Sequence, residues 1–412
     1  MADFFRKLRK KLRRRKLLAE KARLEGKNTG SRASVHLRHL SRRNRERLQR
    51  ILTISSIVIL VILALYLFIE KRTYNDYRIL EISEQEDIVS TKYVEMDGKI
   101  LRYSPDGASL VDKKLETVWS DIYEMQNPVA DVNDAMAVIA DKDGTSIEIY
   151  DKNGSLGSIT TSYNIIKARI SGNGLVAVIM DGGDATWINF YASDGSLIAE
   201  NQTKIDDPGF PLDVTISPNG VIMMVAYQFV DGSETTSYVA FYNFGDVGQN
   251  EDDRIVSGYT YEGVVVPQVQ YLGGNTSVAI RDDGFTIYRG KQIPEEVKTV
   301  QVDKEIVSTF YDENTIGLVF KNDGEEYLYT MEAYSADGKL KFREDFNIPY
   351  TTVRMSGGNI MMYNSSQVTV FDGKGNEKYS GTLNGTVNDL FKIGWNKYVL
   401  VLDSGVSVIK FV

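Results

Sequence analysis

One short phrase recurs along the chain: IYDKNGSL at 149–156, FYASDGSL at 190–197 and AYSADGKL at 333–340. An apolar–x–apolar–Tyr run reads as a strand end, because side chains alternate faces along a strand. Asn-Gly and Asp-Gly supply the positive φ angles of a tight hairpin turn, and the Leu after the Gly opens the next strand. Each copy is therefore one β-hairpin. RYSPDGASL at 102–110 reads as a fourth copy and VFDGKGNEKY at 370–379 as a looser fifth. A period of about 40–50 residues belongs to solenoids, propellers and arrays.

The hairpin is one part of a longer unit. ARISGNGLVAVIMDGGDATWINFYASDGSL and VTISPNGVIMMVAYQFVDGSETTSYVAFYNFG each contain a short strand, an Asn-Gly turn, a fully apolar strand, a polar turn and the strand that ends in Tyr. A fourth strand follows the Asp-Gly. The same order recurs in VQYLGGNTSVAIRDDGFTIYRG, STFYDENTIGLVFKNDGEEYLYTMEAYSADG, VRMSGGNIMMYNSSQVTVFDGKG and LFKIGWNKYVLVLDSGVSVIKFV. The second strands, such as LVAVIM and YVLVL, are apolar on both faces, whereas a sheet with one wet face would alternate. A lone unit cannot bury both faces. A closed ring of units can, and it leaves only short edges.

Third strands are expected to end near Tyr103, Tyr150, Tyr191, Tyr242, Tyr288, Tyr334, Phe371 and Ile409. This predicts an all-β propeller of about eight four-stranded blades over 77–412, or seven if one unit is incomplete; an open solenoid or sandwich is the competing topology. The first unit is the faintest, with its inner strand expected around DIVST (87–91). The recurring Tyr is read as packing between blades, with sugar binding as the alternative. VSVIKF reads as a third strand with no fourth after it. YRILEIS (77–83) has strand alternation and is expected to supply the missing strand, antiparallel to Val406–Phe411.

Charge divides the chain. Residues 1–50 hold 19 of the 48 Lys/Arg and 4 of the 56 Asp/Glu, so a basic head precedes an acidic body. Between them ILTISSIVILVILALYLFI (51–69) carries no charge. At ~1.5 Å rise per residue it reaches roughly 28 Å, close to the hydrocarbon thickness of a bilayer. In lipid only a helix satisfies every backbone group within such a segment. Thr53, Ser55 and Ser56 can bond back to carbonyls one turn earlier. Arg38, Arg42, Arg43, Arg45, Arg47 and Arg50 precede this run, and only Lys71, Arg72 and Arg78 follow closely. The positive-inside rule then places the N-terminus in the cytoplasm. The expected organisation is a basic cytoplasmic tail (1–50), a single transmembrane helix (51–69), a linker (70–76) and an extracytoplasmic propeller (77–412). A buried core helix and a cleaved signal peptide fit the length and flanks less well.

In the head, Phe5, Leu8 and Leu12 fall at helical spacing beside Arg13, Arg14 and Arg15. An amphipathic helix on the anionic inner leaflet is the favoured reading. A topogenic tail without a specific partner is the plainer one, and nucleic acid is not the expected partner. His36 and His39 have metal-like spacing but sit in a basic linker and are read as solvated.

FYNFGDVGQNEDDRIVSGYTYEGVVVPQVQYL (241–272), YEMQNPVADVN (123–133) and GFPLDVTISPNG (209–220) resemble an uncharacterised domain-of-unknown-function family of clostridial membrane-anchored proteins. The resemblance covers nearly all of the chain after the apolar run. It implies a Gram-positive envelope protein and no known activity. More distantly the units resemble quinoprotein-like and WD40-like propellers. The Trp-Asp and Gly-His signatures are absent, and only Trp119, Trp187 and Trp395 occur, so no quinone cofactor is expected.

The body contains neither His nor Cys. This excludes Ser-His-Asp and Cys-His nucleophiles and His/Cys zinc sites there. Paired carboxylates can still hydrolyse glycosides. The acidic residues, however, are spread over turns such as DKDG (141–144) and RDDG (281–284), where Asp-Gly forms the turn itself. None has EF-hand spacing. No catalytic, metal or cofactor residue is assigned. Two longer connections break the repeat: IDDPGFPLD with Asp206, Asp207 and Phe210, and GDVGQNEDDRIVSGYTYEG with Asp252, Asp253, Tyr259 and Tyr261. Long loops on a rigid scaffold often carry function, so these are the candidate partner-binding loops. The chain reads as a non-enzymatic, membrane-tethered scaffold that binds an envelope protein or cell-wall polymer. A ligand sensor signalling through the tail, or a carboxylate-dependent glycan enzyme, are the alternatives.

Overall fold

Strands of five to ten residues, linked by tight turns, pair antiparallel into eight sheets of four. The computed structural model describes residues 49–64, 68, 71–83, 90–204, 208–232, 234–324 and 326–412. Residues 73–412 form one unit, the β-propeller. Blade 1 spans 92–122, blade 2 128–160, blade 3 164–203, blade 4 210–262, blade 5 268–301, blade 6 306–346 and blade 7 352–382. Blade 8 takes three strands from 387–411 and its outer strand from Tyr77–Ile82. The count is eight, and the seven-bladed alternative falls away. In blades 1 to 7 the first strand is innermost, in blade 8 it is Val387–Gly394, and inner strands of neighbouring blades meet around the axis, as from blade 1 through blade 5.

The ring is closed by packing. Eight clusters of buried side chains each straddle one boundary between blades. One of them joins Tyr93, Ile100 and Val111 of blade 1 to Phe391, Val399 and Val408 of blade 8. Here the doubly apolar second strands find their purpose: Ala177 and Ile179 face blade 4, while Val176 and Val178 face blade 2. The recurring aromatic is buried at these boundaries too, as Tyr150, Tyr191, Tyr242, Tyr288, Tyr334 and Phe371. Burying such a ring stabilises by about 1.5–3 kcal/mol each.

Each outer strand carries a β-bulge near its start, the residue skipped in the strand register being Val118, Leu156, Ile198, Val256, Val297, Lys341, Lys378 or Leu80. A bulge bends an edge strand away from further pairing, so the ring does not present eight flat edges. In blade 8 Tyr77 pairs with Phe411 and Ile79 with Ile409, as the alternation predicts; the bulge then shifts the register, and Glu81 meets Val408. Tyr74 already bridges Tyr379, and the N–H groups of Asn75 and Asp76 donate to the Val412 carbonyl. Backbone contacts of the ring with the entering chain therefore begin at Tyr74, within the segment 70–76.

Blade 1 corrects two expectations. Its inner strand is Lys92–Met96, just after DIVST, of which 87–89 lie outside the described residues, and RYSPDGASL joins the second strand (Lys99–Ser104) to the third (Gly107–Val111). Tyr103 thus ends a second strand. The true third-to-fourth turn is 112–116. Leu115, at φ 66°, stands there in the left-handed position that Gly195, Gly338 and Gly375 fill in blades 3, 6 and 7. A Leu in that conformation is disfavoured, and it hides the turn from a search for Asp-Gly.

Among the described residues no helix is long and apolar enough to cross a membrane. Residues 49–64 are helical and their apolar side chains are exposed. Thr53 Oγ1 donates to the carbonyls of Gln49 (3.0 Å) and Arg50 (2.9 Å). The expected membrane helix over 51–69 runs in part beyond the described residues. The basic tail, with Phe5, Leu8, Leu12, Arg13, Arg14 and Arg15, lies outside them altogether.

Candidate functional site

Inner strands bring charges from distant sequence positions to the axis. Arg169 of blade 3 places Nη1 3.0 Å from Asp131 Oδ1 in blade 2 and Nη2 3.3 Å from Asp213 Oδ1 in blade 4. Lys167 Nζ reaches the same Asp213 oxygen at 2.9 Å. The second oxygens are also used: Asp131 Oδ2 accepts from the Ile170 N–H (2.9 Å), and Asp213 Oδ2 from the Val269 N–H of blade 5 (3.0 Å). Two cations and two carboxylates thus staple four consecutive blades. Burial lowers the proton affinity of the Arg169 guanidinium, but Asp131 and Asp213 outweigh it and hold Arg169 charged.

A second set ties blades 7, 8 and 1. Arg354 Nη1 lies 3.0 Å from Asp389 Oδ1, and Tyr363 Oη donates to that oxygen at 2.5 Å. Ser356 Oγ donates to Glu95 Oε2 (2.6 Å) and accepts from the Lys392 N–H (2.9 Å). Buried charges are tolerated here because each has partners.

Beside the axis, on the face made by the first-to-second turns, lies a hollow of ≈ 570 Å³. Asp134, Asp312 and Glu313 line it, together with Asn133, Asn314, Tyr311 and the Gly273–Gly274 backbone. A groove of ≈ 500 Å³ runs between blades 3 and 4, lined by Asn201, Gln202, Pro208, Phe229, Tyr238, Tyr242, Asp253 and Ile255. Tyr242 and Tyr227 share a 2.7 Å hydrogen bond at its wall. Burial pushes the Tyr242 hydroxyl up to about 12, so it stays neutral.

The two long connections meet at this groove. Asp253, at φ 51°, lines one part, and Pro208 of the other connection lines another. Asp206 and Asp207 lie outside the described residues. Phe210 opens the inner strand of blade 4 and is 40% exposed. Asp252 begins the short 3-10 turn Asp252–Arg254. Tyr259 and Tyr261 lie on the outer strand Ile255–Glu262 and turn toward blade 5. Tyr259 Oη donates to the Pro294 carbonyl (3.1 Å), Tyr261 Oη bonds Tyr288 Oη, and Arg281 stacks over the Tyr261 ring at 4.9 Å. The structure thus brings Asp253 to a groove and engages the two tyrosines between blades.

One feature escaped the repeat-based reading. The second and third strands of blade 4, Ile222–Asp231 and Glu234–Asn243, have ten residues each, the longest of the ring. Their far end carries Val230, 70% exposed. The signal lay in the late Asp-Gly of VIMMVAYQFVDGSETTSYV.

Carboxylates also approach one another between blades 1 and 2. Tyr150 Oη donates to Asp121 Oδ2 (3.1 Å), and burial, with the Asp121 charge, raises the Glu148 carboxyl above its ordinary range. Among the described residues no group of three His, Cys, Asp or Glu is placed to hold a metal ion.

A closed ring of eight four-stranded blades, stapled at its axis and lengthened in one blade, defines an eight-bladed β-propeller. The chain belongs to a family of unknown function, DUF5711, which matches residues 70–411. Among solved structures it is similar to a eukaryotic initiation factor, with TM-score 0.52, 12% identity and coverage of 80% of this chain and 87% of that one. It is also similar to dipeptidyl peptidase 4 of Porphyromonas gingivalis, with TM-score 0.51, 12% identity, 76% of this chain and 56% of that one. BamB from Moraxella catarrhalis gives TM-score 0.48 at 13% identity, over 82% of this chain and 99% of that one. The first two of these likenesses show the fold alone. No match was found among curated proteins.

Proposed function

We propose that the chain is a membrane-tethered interaction scaffold whose propeller, outside the cytoplasm, binds an envelope protein or cell-wall polymer through blade 4. The observation that carries this reading is the break in the repeat. Seven blades keep strands of five to eight residues, whereas blade 4 extends its central hairpin, exposes Phe210 and Val230 and borders the groove at Asp253. A rigid ring with one irregular blade offers a preorganised contact surface. The tether is supported by the uncharged run 51–69 and its basic flank, and by a helix whose exposed surface is apolar all round. Such a helix needs a non-aqueous surrounding. The basic tail then rests on anionic inner-leaflet lipid, and the ring performs no catalysis.

Cross-linking in intact cells followed by mass spectrometry tests the reading. Full-length chain should capture a partner through residues near 210 and 230, and F210S/V230D should lose that partner while retaining its melting temperature. Unchanged capture by the variant would remove blade 4 from the proposal.

A further inference from the structure

We infer that the rim of blade 8 around Trp395 rests in the headgroup layer of a phospholipid bilayer; this rests on the tether reading. Trp395 is 77% exposed, at the first-to-second turn of blade 8. Large aromatics are seldom left so open in water. The turn is held firmly, since Asn396 adopts φ 53° and its Nδ2 donates to the Phe411 carbonyl at 2.7 Å. Trp395 is therefore displayed by a rigid support.

The same corner receives the chain. Phe411 is the register partner of Tyr77, Val412 bonds Asp76, and the Tyr74 N–H donates to the Lys378 carbonyl at 2.8 Å. The ring thus takes up the chain at Tyr74, beside the turn that carries Trp395. Four residues lie between Ile69, the end of the apolar run, and Tyr74, which makes five steps along the chain. At no more than ~3.3–3.6 Å per residue they span under roughly 18 Å, which is short beside the ~30 Å hydrocarbon thickness of a bilayer. A ring tethered so closely cannot stand away from the surface. The residue displayed at that corner is an indole, the side chain that partitions to the membrane–water interface with its ring in the apolar layer and its N–H in the wet one. Lys397, exposed two residues on, adds a cation suited to lipid phosphate.

The experiment uses full-length chain with vesicles of phosphatidylcholine and phosphatidylglycerol in equal parts. Vesicle flotation tests the tether. Fluorescence tests the contact, the emission of Trp395 being the difference between wild type and W395F. In floated protein that difference should shift to shorter wavelength and lose most of its intensity when the lipids are brominated near the headgroups. A chain that floats while its Trp395 emission stays water-like and unquenched overturns the contact alone. A chain that does not float overturns the tether and the contact together.

Discussion

Tyr379 stacks on Phe411 with ring centroids 4.0 Å apart, and Phe411 in turn pairs with Tyr77 across the strand that closes the ring. Blade 7, blade 8 and the entering chain therefore meet at one buried phenylalanine.

Removal of 71–83 should leave the edge of Gly405–Phe411 unpaired. The expected result is a lower melting temperature and concentration-dependent aggregation, both read by scanning calorimetry and light scattering. Phe411→Ala keeps the strand but empties the stack, and should cost about 3–5 kcal/mol in denaturant melts. A truncated chain that melts with the wild type would refute the closure.

The axial staples should matter far more than rim ion pairs. Asp213 is fully buried and serves Lys167, Arg169 and the Val269 N–H. Asp213→Ala leaves those donors stranded and should cost about 3–5 kcal/mol. Asp337→Ala breaks an exposed pair with Arg289 and should cost about 0–1 kcal/mol. Equal losses in urea melts would show that the axis is better hydrated than its geometry implies.

Acid should release one turn of blade 7. Burial alone would raise the Asp372 carboxyl, but donation from the Asn376 side chain, the N–H groups of Lys374 and Asn376, and Lys378 holds it below its ordinary 3.8. A folded value below the unfolded one gives stability that is present above 3.8 and lost as pH falls through the folded value. Asp372→Asn should therefore be less stable than wild type at pH near 7. That difference should shrink as pH drops below 3.8. A gap that stays constant with pH would assign the loss to packing.

The blades were legible because turn chemistry and two-sided apolar strands are local properties. Even the non-local closure could be read, since a third strand without a fourth needs a partner and 77–83 had the right alternation. Blade 1 was misread because Leu115 occupies a position where Gly marks the turn elsewhere. The axial staples were harder. Asp131, Arg169 and Asp213 come together only when the ring closes, and no spacing announces it. Their trace is the shared Asp-Val of PVADVN and FPLDVTI, which places the two carboxylates alike on the inner strands of blades 2 and 4. Tyr259 and Tyr261 looked like loop residues because the connection before them is long, but the outer strand begins at Ile255 and carries both.

The closing strand also sets an order in time. During synthesis Tyr77–Ile82 emerges before any blade, and Gly405–Phe411 only after seven blades have been made. The entropy of joining such distant segments grows only with the logarithm of their separation, so the finished pairing is not expensive. The wait is the vulnerable part. Throughout it Ile79, Leu80 and Ile82 have no partner strand, and their backbone groups stay open to any neighbouring chain. Ring closure is thus the last pairing that synthesis permits, and a nascent chain is most exposed to misassembly just before that strand appears.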